Sequence, residues 1–340
     1  MKDLWLAIGR ATRGDENEID LVREAELFLA VGYDNPDTVL LRWLRARRWE
    51  VQTALELFLD TIQWRQDWGV KEFVAKGERD LCEEEVRTGK SYFMGQDKDG
   101  RPINYVSARD HVKDQFTSDD TEKLTVFTME TGRKLLRSPY ESVTVVFDMT
   151  DFSLKNMDYQ HLKFLVHLLQ NYYPESFALG LIVNAPWIFN SCWFIIKRWL
   201  DPVVHNKIHF VNSFDELAQF IHPDSIPRKL NGNHPDFQYI PATEEDLAML
   251  EAFRNDVEGK RRAEDIHRQA VEKYLKITDR WVREEESREI VEERMKATEE
   301  LRNAFEQLVP YIHTRTHYHR TGAIDEPMFE ILHQRIQENQ

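Results

Sequence analysis

The stretch that decides the fold reads YYPESFALGLIVNAPWIFNSCWFIIKRWLDPVVHNKI and covers residues 172–208. Within it, residues 176–196 are mostly apolar and end in Lys197-Arg198. That length is close to the roughly 20 residues that a membrane-spanning helix needs. The run is nevertheless interrupted by polar residues and by a proline, which a simple membrane span does not explain.

The interruption indicates two elements in place of one long helix. Asn-Ala-Pro at residues 184–186 is a turn signal, because a residue that precedes proline is disfavoured in the α region. The pattern predicts a buried strand over residues 179–184, a tight break, and an apolar helix over about 188–200. A helix that is apolar on nearly every face is either buried or placed against lipid.

On both sides of this stretch, short apolar runs alternate with helical periodicity. The strand-like runs cover residues 103–106, 143–149, 179–184 and 208–211, and the helical stretches cover residues 119–137, 158–172 and 188–200. Strands that alternate with helices of this length predict βαβ units and a mostly parallel sheet in an α/β fold.

The rest of the chain is predicted to be helical. Asp34-Asn35-Pro36 is a helix start, with a capping side chain followed by a proline suited to the first turn. From residue 236 onward the chain is rich in charged helix formers, and widely spaced aromatics at Phe253, Tyr274 and Trp281 predict long docked helices. We therefore expect three segments: a helical module at 1–90, an α/β domain at 91–235 and a C-terminal helical extension at 236–340.

Composition limits the classes of function. The chain has 340 residues and a formal net charge of −15, which argues against a nucleic-acid binder, whose surface is basic. The same charge argues against permanent adhesion to anionic membranes. Cys82 and Cys192 are the only cysteines, so no disulfide framework is expected. With no signal peptide evident at the N-terminus, we expect a cytoplasmic protein that associates with membranes transiently.

Motifs for catalysis, nucleotides and metals are missing. The sequence contains no GxGxxG, GxxxxGK[ST], GxSxG or HExxH, so the usual routes to nucleotide binding and hydrolysis lack a motif. His313, His317 and His319 suggest a metal site, but no carboxylate or cysteine stands close enough in sequence to complete one of ordinary spacing. The prediction is no enzyme, no cofactor and no metal.

Several motifs together resemble the CRAL-TRIO lipid-binding family, and most closely its fungal phosphatidylinositol transfer proteins. These motifs are LLRWLRARR at 40–48, DKDGRP at 97–102, YYPE at 172–175, NAP at 184–186, LDP at 200–202 and KI at 207–208. The resemblance implies a helical N-terminal module followed by a lipid-binding lobe, with an apolar pocket closed by a gate helix. It also implies phosphatidylinositol as ligand.

The resemblance also implies roles for individual residues. Lys207 would bind the lipid phosphodiester, assisted by Arg47 or Arg48, and Glu175 would accept hydrogen bonds from inositol hydroxyls. The alternatives are a plain Glu175–Lys207 ion pair that closes the fold, and a solvated helix face for the arginines. The predicted gate and pocket residues are Ile188, Trp193, Phe194, Ile195, Ile196, Phe93 and Ser153.

The sequence departs from the family pattern in ways that bear on the ligands. Val204 replaces a threonine expected near the phosphate. Ser153 is kept at the family's phosphatidylcholine site, but Phe93, Asn104 and Lys155 replace residues expected there. Phosphatidylcholine is therefore a poor candidate, and a sterol or squalene-like lipid remains open as second ligand. Two other functions stay open: a lipid-sensing scaffold that recruits a protein partner through the C-terminal helices, and a lipid-modifying enzyme.

Overall fold

The computed structural model describes residues 1–12, 26–136, 139–284 and 287–338. The chain divides into two compact units, one made of Met1–Lys76, Ala242–His319 and Asp325–Gln340, the other of Gly77–Pro241 and Arg320–Ile324. In chain order, the α-helices are α1 Lys2–Thr12, α2 Pro36–Ala46, α3 Val51–Trp68, α4 Val70–Lys76, α5 Glu83–Arg87, α6 Ser118–Leu135, α7 Tyr159–His167, α8 Phe189–Ile196, α9 Pro202–His205, α10 Phe214–Phe220, α11 Glu244–Asn255, α12 Val257–Arg283, α13 Arg288–Ile312, α14 His317–Arg320 and α15 Met328–Glu338.

The second unit, called the lobe below, is built on a five-stranded sheet. Its strands are β1 Ser91–Gln96, β2 Pro102–Ser107, β3 Val143–Asp148, β4 Phe177–Val183 and β5 Ile208–Val211, in the spatial order β1-β2-β3-β4-β5. The first pair is antiparallel and the other three pairs are parallel. The predicted α/β class and mostly parallel sheet are confirmed.

The hairpin between β1 and β2 is organised by one buried carboxylate. Asp97 accepts hydrogen bonds from the backbone N–H of Asp99 at 3.0 Å and of Arg101 at 2.9 Å. It also accepts one from the Thr144 hydroxyl at 2.6 Å, which ties the turn to β3. Gly100 sits at φ 86°, a conformation that glycine adopts without steric cost. The DKDGRP motif is thus a turn whose aspartate supplies the backbone's missing acceptors.

One face of the sheet packs against a hydrophobic core, and the other face lines a cavity. Because successive side chains point to opposite faces, Val146 on β3 joins the core cluster that includes Tyr105 and Leu181. Its neighbours Val145 and Phe147 face the opposite side and line a cavity. The near-continuous apolar sequence of β3 is explained by a packed core on one face and the cavity on the other.

The helical unit draws one core from both ends of the chain. Tyr274, on α12, packs edge-on against Trp5 with ring centroids 5.8 Å apart and against Phe28 at 6.0 Å. On α13, Arg294 reaches Asp37 at the start of α2, with Nη2–Oδ1 at 2.7 Å. The predicted third segment therefore shares a core with the first.

Candidate functional site

The cavity lies within the lobe, against one face of the sheet, and has a volume of about 270 Å³. Its walls come from the sheet, α6, α7 with the π-helical turn Leu168–Tyr172, and α8. Most lining side chains are apolar, including Val106, Val145, Phe147, Leu124, Met129, Leu162, Leu165 and Leu169. A cavity with such walls suits hydrocarbon, because burial of apolar surface is favourable and unpaired polar groups are costly there.

Helix α8 closes one side of this cavity with a single face. Phe189, Trp193 and Ile196 recur at spacings of four and three and line the cavity, as neighbours on one helical face should. The opposite face is open to solvent, where Phe194 is 51% and Ile195 is 39% exposed. Apolar side chains on both faces of a short helix suit an element that contacts ligand inside and lipid outside.

The break before α8 depends on Asn184. This residue has φ 56°, in the left-handed region that asparagine tolerates better than most residues. Its side chain donates a hydrogen bond to the Thr150 hydroxyl at 3.0 Å, which fixes the turn at the end of β4. Trp187 follows on the turn and is 83% exposed, while Ile188 packs beside the cluster around Phe189 without lining the cavity.

Glu175 and Lys207 come together beside the cavity. Lys207 Nζ lies 3.6 Å from Glu175 Oε2 and donates a hydrogen bond to the Phe177 carbonyl at 3.0 Å. Both side chains are about one-third exposed or less, and Ser176, Phe177 and Ile208, their sequence neighbours, line the cavity. Glu175 has φ 57°, a conformation of modest cost for a non-glycine residue. A positive and a negative group thus stand together at the edge of an apolar chamber.

The remaining headgroup candidates belong to the other compact unit. Arg47 follows the end of α2 and is half-buried, and the exposed Arg48 has φ 51°. Arg42 is buried and lies 3.4 Å from Asp34, so its charge serves the helical unit. The headgroup role of Arg47 and Arg48 stays a prediction.

Phosphatidylcholine-site positions differ in where they lie. Phe93 and Asn104 line the cavity. Val204, which replaces the threonine expected near the phosphate, belongs to α9 and also lines the cavity. The Asn104 side chain donates to the Tyr92 carbonyl at 3.2 Å. Ser153, predicted to lie in the pocket, is not among the lining residues; its hydroxyl donates to Asn156 Oδ1 at 2.9 Å in a local capping box, and Asn156 itself lines the cavity.

A polar cluster at the cavity wall has no counterpart in the sequence-based predictions. It comprises Glu85, Lys90, His111, Thr121, Asp158 and His161. The members are spread along the sequence from α5 to α7, so no local spacing in the sequence predicts that they meet. From the sequence, Asp158 is predicted only to cap a helix. Burial, followed by the charge of Lys90, lowers the pKa of His111. Burial, with His111 and Lys90 nearby, lowers the pKa of His161 to about 4.

Of the three C-terminal histidines considered as metal ligands, His319 is held by hydrogen bonds within the protein. His319 accepts a hydrogen bond from the Thr316 N–H at Nδ1, at 2.9 Å, and contacts Glu326 through Nε2 at 2.8 Å. Among the described residues, no group of three or more His, Cys, Asp or Glu side chains is arranged to hold a metal ion. In the same part of the chain, every helix is too short or too polar to span a bilayer.

Comparison with known proteins agrees with this geometry. The family profile described as CRAL/TRIO domain matches residues 86–232, and the CRAL/TRIO N-terminal domain matches residues 11–60. A CRAL-TRIO domain-containing protein of Schizosaccharomyces pombe, C3H8.02, is 38% identical over 301 residues, covering 87% of this chain and 67% of that protein. The chain belongs to the CRAL/TRIO family. That family is one of lipid-binding and lipid-transfer proteins, and the resemblance seen in the motifs is confirmed.

Two further relatives and one solved structure are also similar to this chain. Phosphatidylinositol transfer protein CSR1 of Eremothecium gossypii is 32% identical over 305 residues, covering 86% of this chain and 69% of that protein. The Sec14 cytosolic factor of S. pombe is 28% identical over 221 residues, covering 58% of this chain and 74% of that protein. The crystal structure of Sfh5 superposes with a TM-score of 0.52 at 20% identity, covering 64% of this chain and 80% of that one, which shows the shared fold.

Proposed function

We propose that this protein binds phosphatidylinositol and transfers or presents it between membranes, with the acyl chains in the lobe's cavity. The observation that carries the proposal is an apolar chamber closed by α8, with the Glu175–Lys207 pair at its edge. The name of the E. gossypii relative supports phosphatidylinositol as the ligand. The site of action we propose is the cytoplasm, with brief visits to membrane surfaces.

Selectivity in such a carrier rests on the headgroup. Burial of acyl methylenes is worth about 0.8 kcal/mol each relative to water, but this contribution largely cancels when lipid moves from a bilayer into the cavity. The discriminating contacts must therefore be polar. Lys207 would donate to the phosphodiester and Glu175 would accept from inositol hydroxyls, each through a charge-assisted hydrogen bond.

The gate would be α8. Its inner face contacts the cavity and its outer face presents Phe194 and Ile195 to the surroundings. Opening in water would expose Trp193 and Ile196 at about 25 cal/mol per Å². That penalty largely disappears when the opened face meets a bilayer, so lipid exchange would occur on membrane contact.

Lys207→Ala tests the headgroup assignment against the ion-pair alternative. We expect phosphatidylinositol transfer to fall by about 10- to 150-fold, because loss of a charge-assisted hydrogen bond costs about 1.5–3 kcal/mol. Stability should fall by no more than about 1 kcal/mol, since the pair is partly exposed. Lys260→Ala, which removes an exposed lysine from the helical unit, is the control.

The outcomes separate the alternatives. A large stability loss in lipid-free Lys207→Ala, with residual transfer tracking the folded fraction, would favour a structural ion pair. Bound lipid without transfer between vesicles would favour the sensing scaffold, and turnover of the bound lipid would reveal an enzyme. Equal loading of phosphatidylcholine and phosphatidylinositol would contradict the proposed selectivity.

A further inference from the structure

The polar cluster at the cavity wall contains an ion pair whose charges are already matched. Glu85 and Lys90 are 1% and 7% exposed and contact each other directly. Thr121 ties the pair together, donating to Glu85 Oε1 at 2.7 Å and lying 3.4 Å from Lys90 Nζ. The charge of Lys90 is therefore balanced by Glu85, and the pair offers little net positive charge to attract an anion.

Lys90 also determines which ring nitrogen of His111 carries the proton. Its Nζ lies 3.4 Å from His111 Nδ1, and an ammonium group only donates, so Nδ1 accepts and the ring's proton is on Nε2. That Nε2 is buried and faces Asp158 Oδ2 at 3.6 Å, longer than a normal hydrogen bond, and no described residue lies within 3.5 Å to accept from it. The Nε2–H of His111 is therefore a hydrogen-bond donor with no acceptor at normal hydrogen-bond distance among the described residues.

His161 carries a second buried ring nitrogen, Nδ1, that lacks a hydrogen bond among the described residues. Its ring stacks on His111 with centroids 5.3 Å apart, and both rings line the cavity. Its Nδ1 is buried and likewise makes no hydrogen bond within the described part of the chain. Buried polar atoms are rarely left without a partner, so two such nitrogens at the wall of a mostly apolar chamber indicate a ligand group that pairs with them.

We propose that His111 and His161 form a hydrogen-bonding site for the hydroxyl group of an uncharged lipid alcohol. A hydroxyl both donates and accepts, so it can serve either tautomer of His161 as well as the His111 N–H. The charge of Lys90 is balanced by Glu85, that of Arg133, which also lines the cavity, is paired with Glu130, and Asp158 adds a negative charge beside His111. A carboxylate or phosphate at the two histidines would therefore be disfavoured. The proposal rests on the lipid-binding cavity of the proposed function and gives the chemical class of its second ligand.

Ligand displacement with three matched probes tests the site in the full chain. 1-Hexadecanol, hexadecane and palmitate share a sixteen-carbon chain and would displace a fluorescent polyene hydrocarbon from the cavity. His161→Phe keeps a stacking ring but removes the nitrogens, and we expect it to weaken hexadecanol binding about tenfold, the upper range for one net hydrogen bond. Hexadecane binding should change less than about twofold, and the exposed His167→Phe on the same helix should leave all three probes unchanged.

The ratio of variant to wild type compares each probe with itself, so differences in water solubility cancel. Equal losses for hexadecanol and hexadecane, or a loss for palmitate as large as that for hexadecanol, would overturn the proposal. If His161→Phe does not fold, ¹⁵N-histidine NMR of the wild type decides: hexadecanol must shift imidazole nitrogens that hexadecane leaves unmoved. Normal phosphatidylinositol loading alongside a negative result would reject this site alone, whereas failure to load either lipid class would reject the proposed function too.

Discussion

The exposed face of the gate helix offers the sharpest test of membrane-triggered exchange. Phe194 is 51% exposed, and a phenylalanine side chain has on the order of 200 Å² to bury, so about 100 Å² is available to a bilayer. At 25 cal/mol per Å², insertion of that area contributes about 2.5 kcal/mol. Phe194→Ser should therefore weaken vesicle contact by up to about sixtyfold, since each 1.4 kcal/mol is a factor of ten.

The assay is phosphatidylinositol transfer between labelled vesicles, with vesicle flotation in parallel. Stability by urea unfolding should change by about 0.5 kcal/mol or less, because the side chain is exposed. Ile240→Ser is the matched control, since Ile240 is another exposed apolar residue of the lobe outside α8. Wild-type transfer by Phe194→Ser, or an equal loss in the Ile240 variant, would refute the gating mechanism.

Three further predictions concern the gate, the helical unit and pH. A cysteine cross-link between α8 and a facing cavity residue, verified by mass spectrometry, should stop lipid exchange while bound lipid stays in place. Unchanged exchange would show that lipid enters the cavity by another route. Arg294→Met should lower the free energy of unfolding by up to about 3–5 kcal/mol, because it removes the ion-pair partner of the partly buried Asp37 and the hydrogen bond to Tyr274. Headgroup preference in a lipid-loading assay should not change, Arg288→Met on an exposed turn of α13 is the control, and a shifted preference would argue against a purely structural role. Burial lowers the pKa of His267 to about 4, below about 6.5 in the unfolded chain, so its contribution to stability is present above pH 6.5 and is lost as the pH falls toward 4. The free energy of unfolding in urea should therefore differ by about 2 kcal/mol between pH 7 and pH 5 because of this group. His267→Leu should remove that difference, and an unchanged pH dependence in the variant would contradict the assignment.

Much of the lobe could be predicted because its signals are local. The break at residues 184–186 comes from a proline and an asparagine, and the strands β2 to β5 stand out as apolar runs, which the structure reproduces with small shifts at their ends. Strand β1 was harder to predict, because its exposed half, ending at Gly95 and Gln96, breaks the apolar pattern. The gate helix is also shorter than predicted, ending at Ile196.

The remaining features depend on contacts between residues far apart in the chain. Tyr274 is fully buried against Trp5 and Phe28, so the C-terminal helices complete the N-terminal module's core; an aromatic in a charged helix predicts docking but not its partner. His111 and His161 are brought together only by the fold of the lobe. Their unused nitrogens depend on the positions of Lys90 and Asp158, which no spacing rule supplies.

The division of the chain has a consequence for its synthesis. Most of the lobe, Gly77–Pro241, lies in sequence between the two halves of the helical unit, and the second half begins at Ala242. Chains emerge from the ribosome N-terminus first, and domains generally fold as units, so the sheet of the lobe can form while Trp5 and Phe28 still lack Tyr274. During that interval the first half of the helical unit exposes the apolar surface that Tyr274 later covers, so this half is open to aggregation until the second half is made.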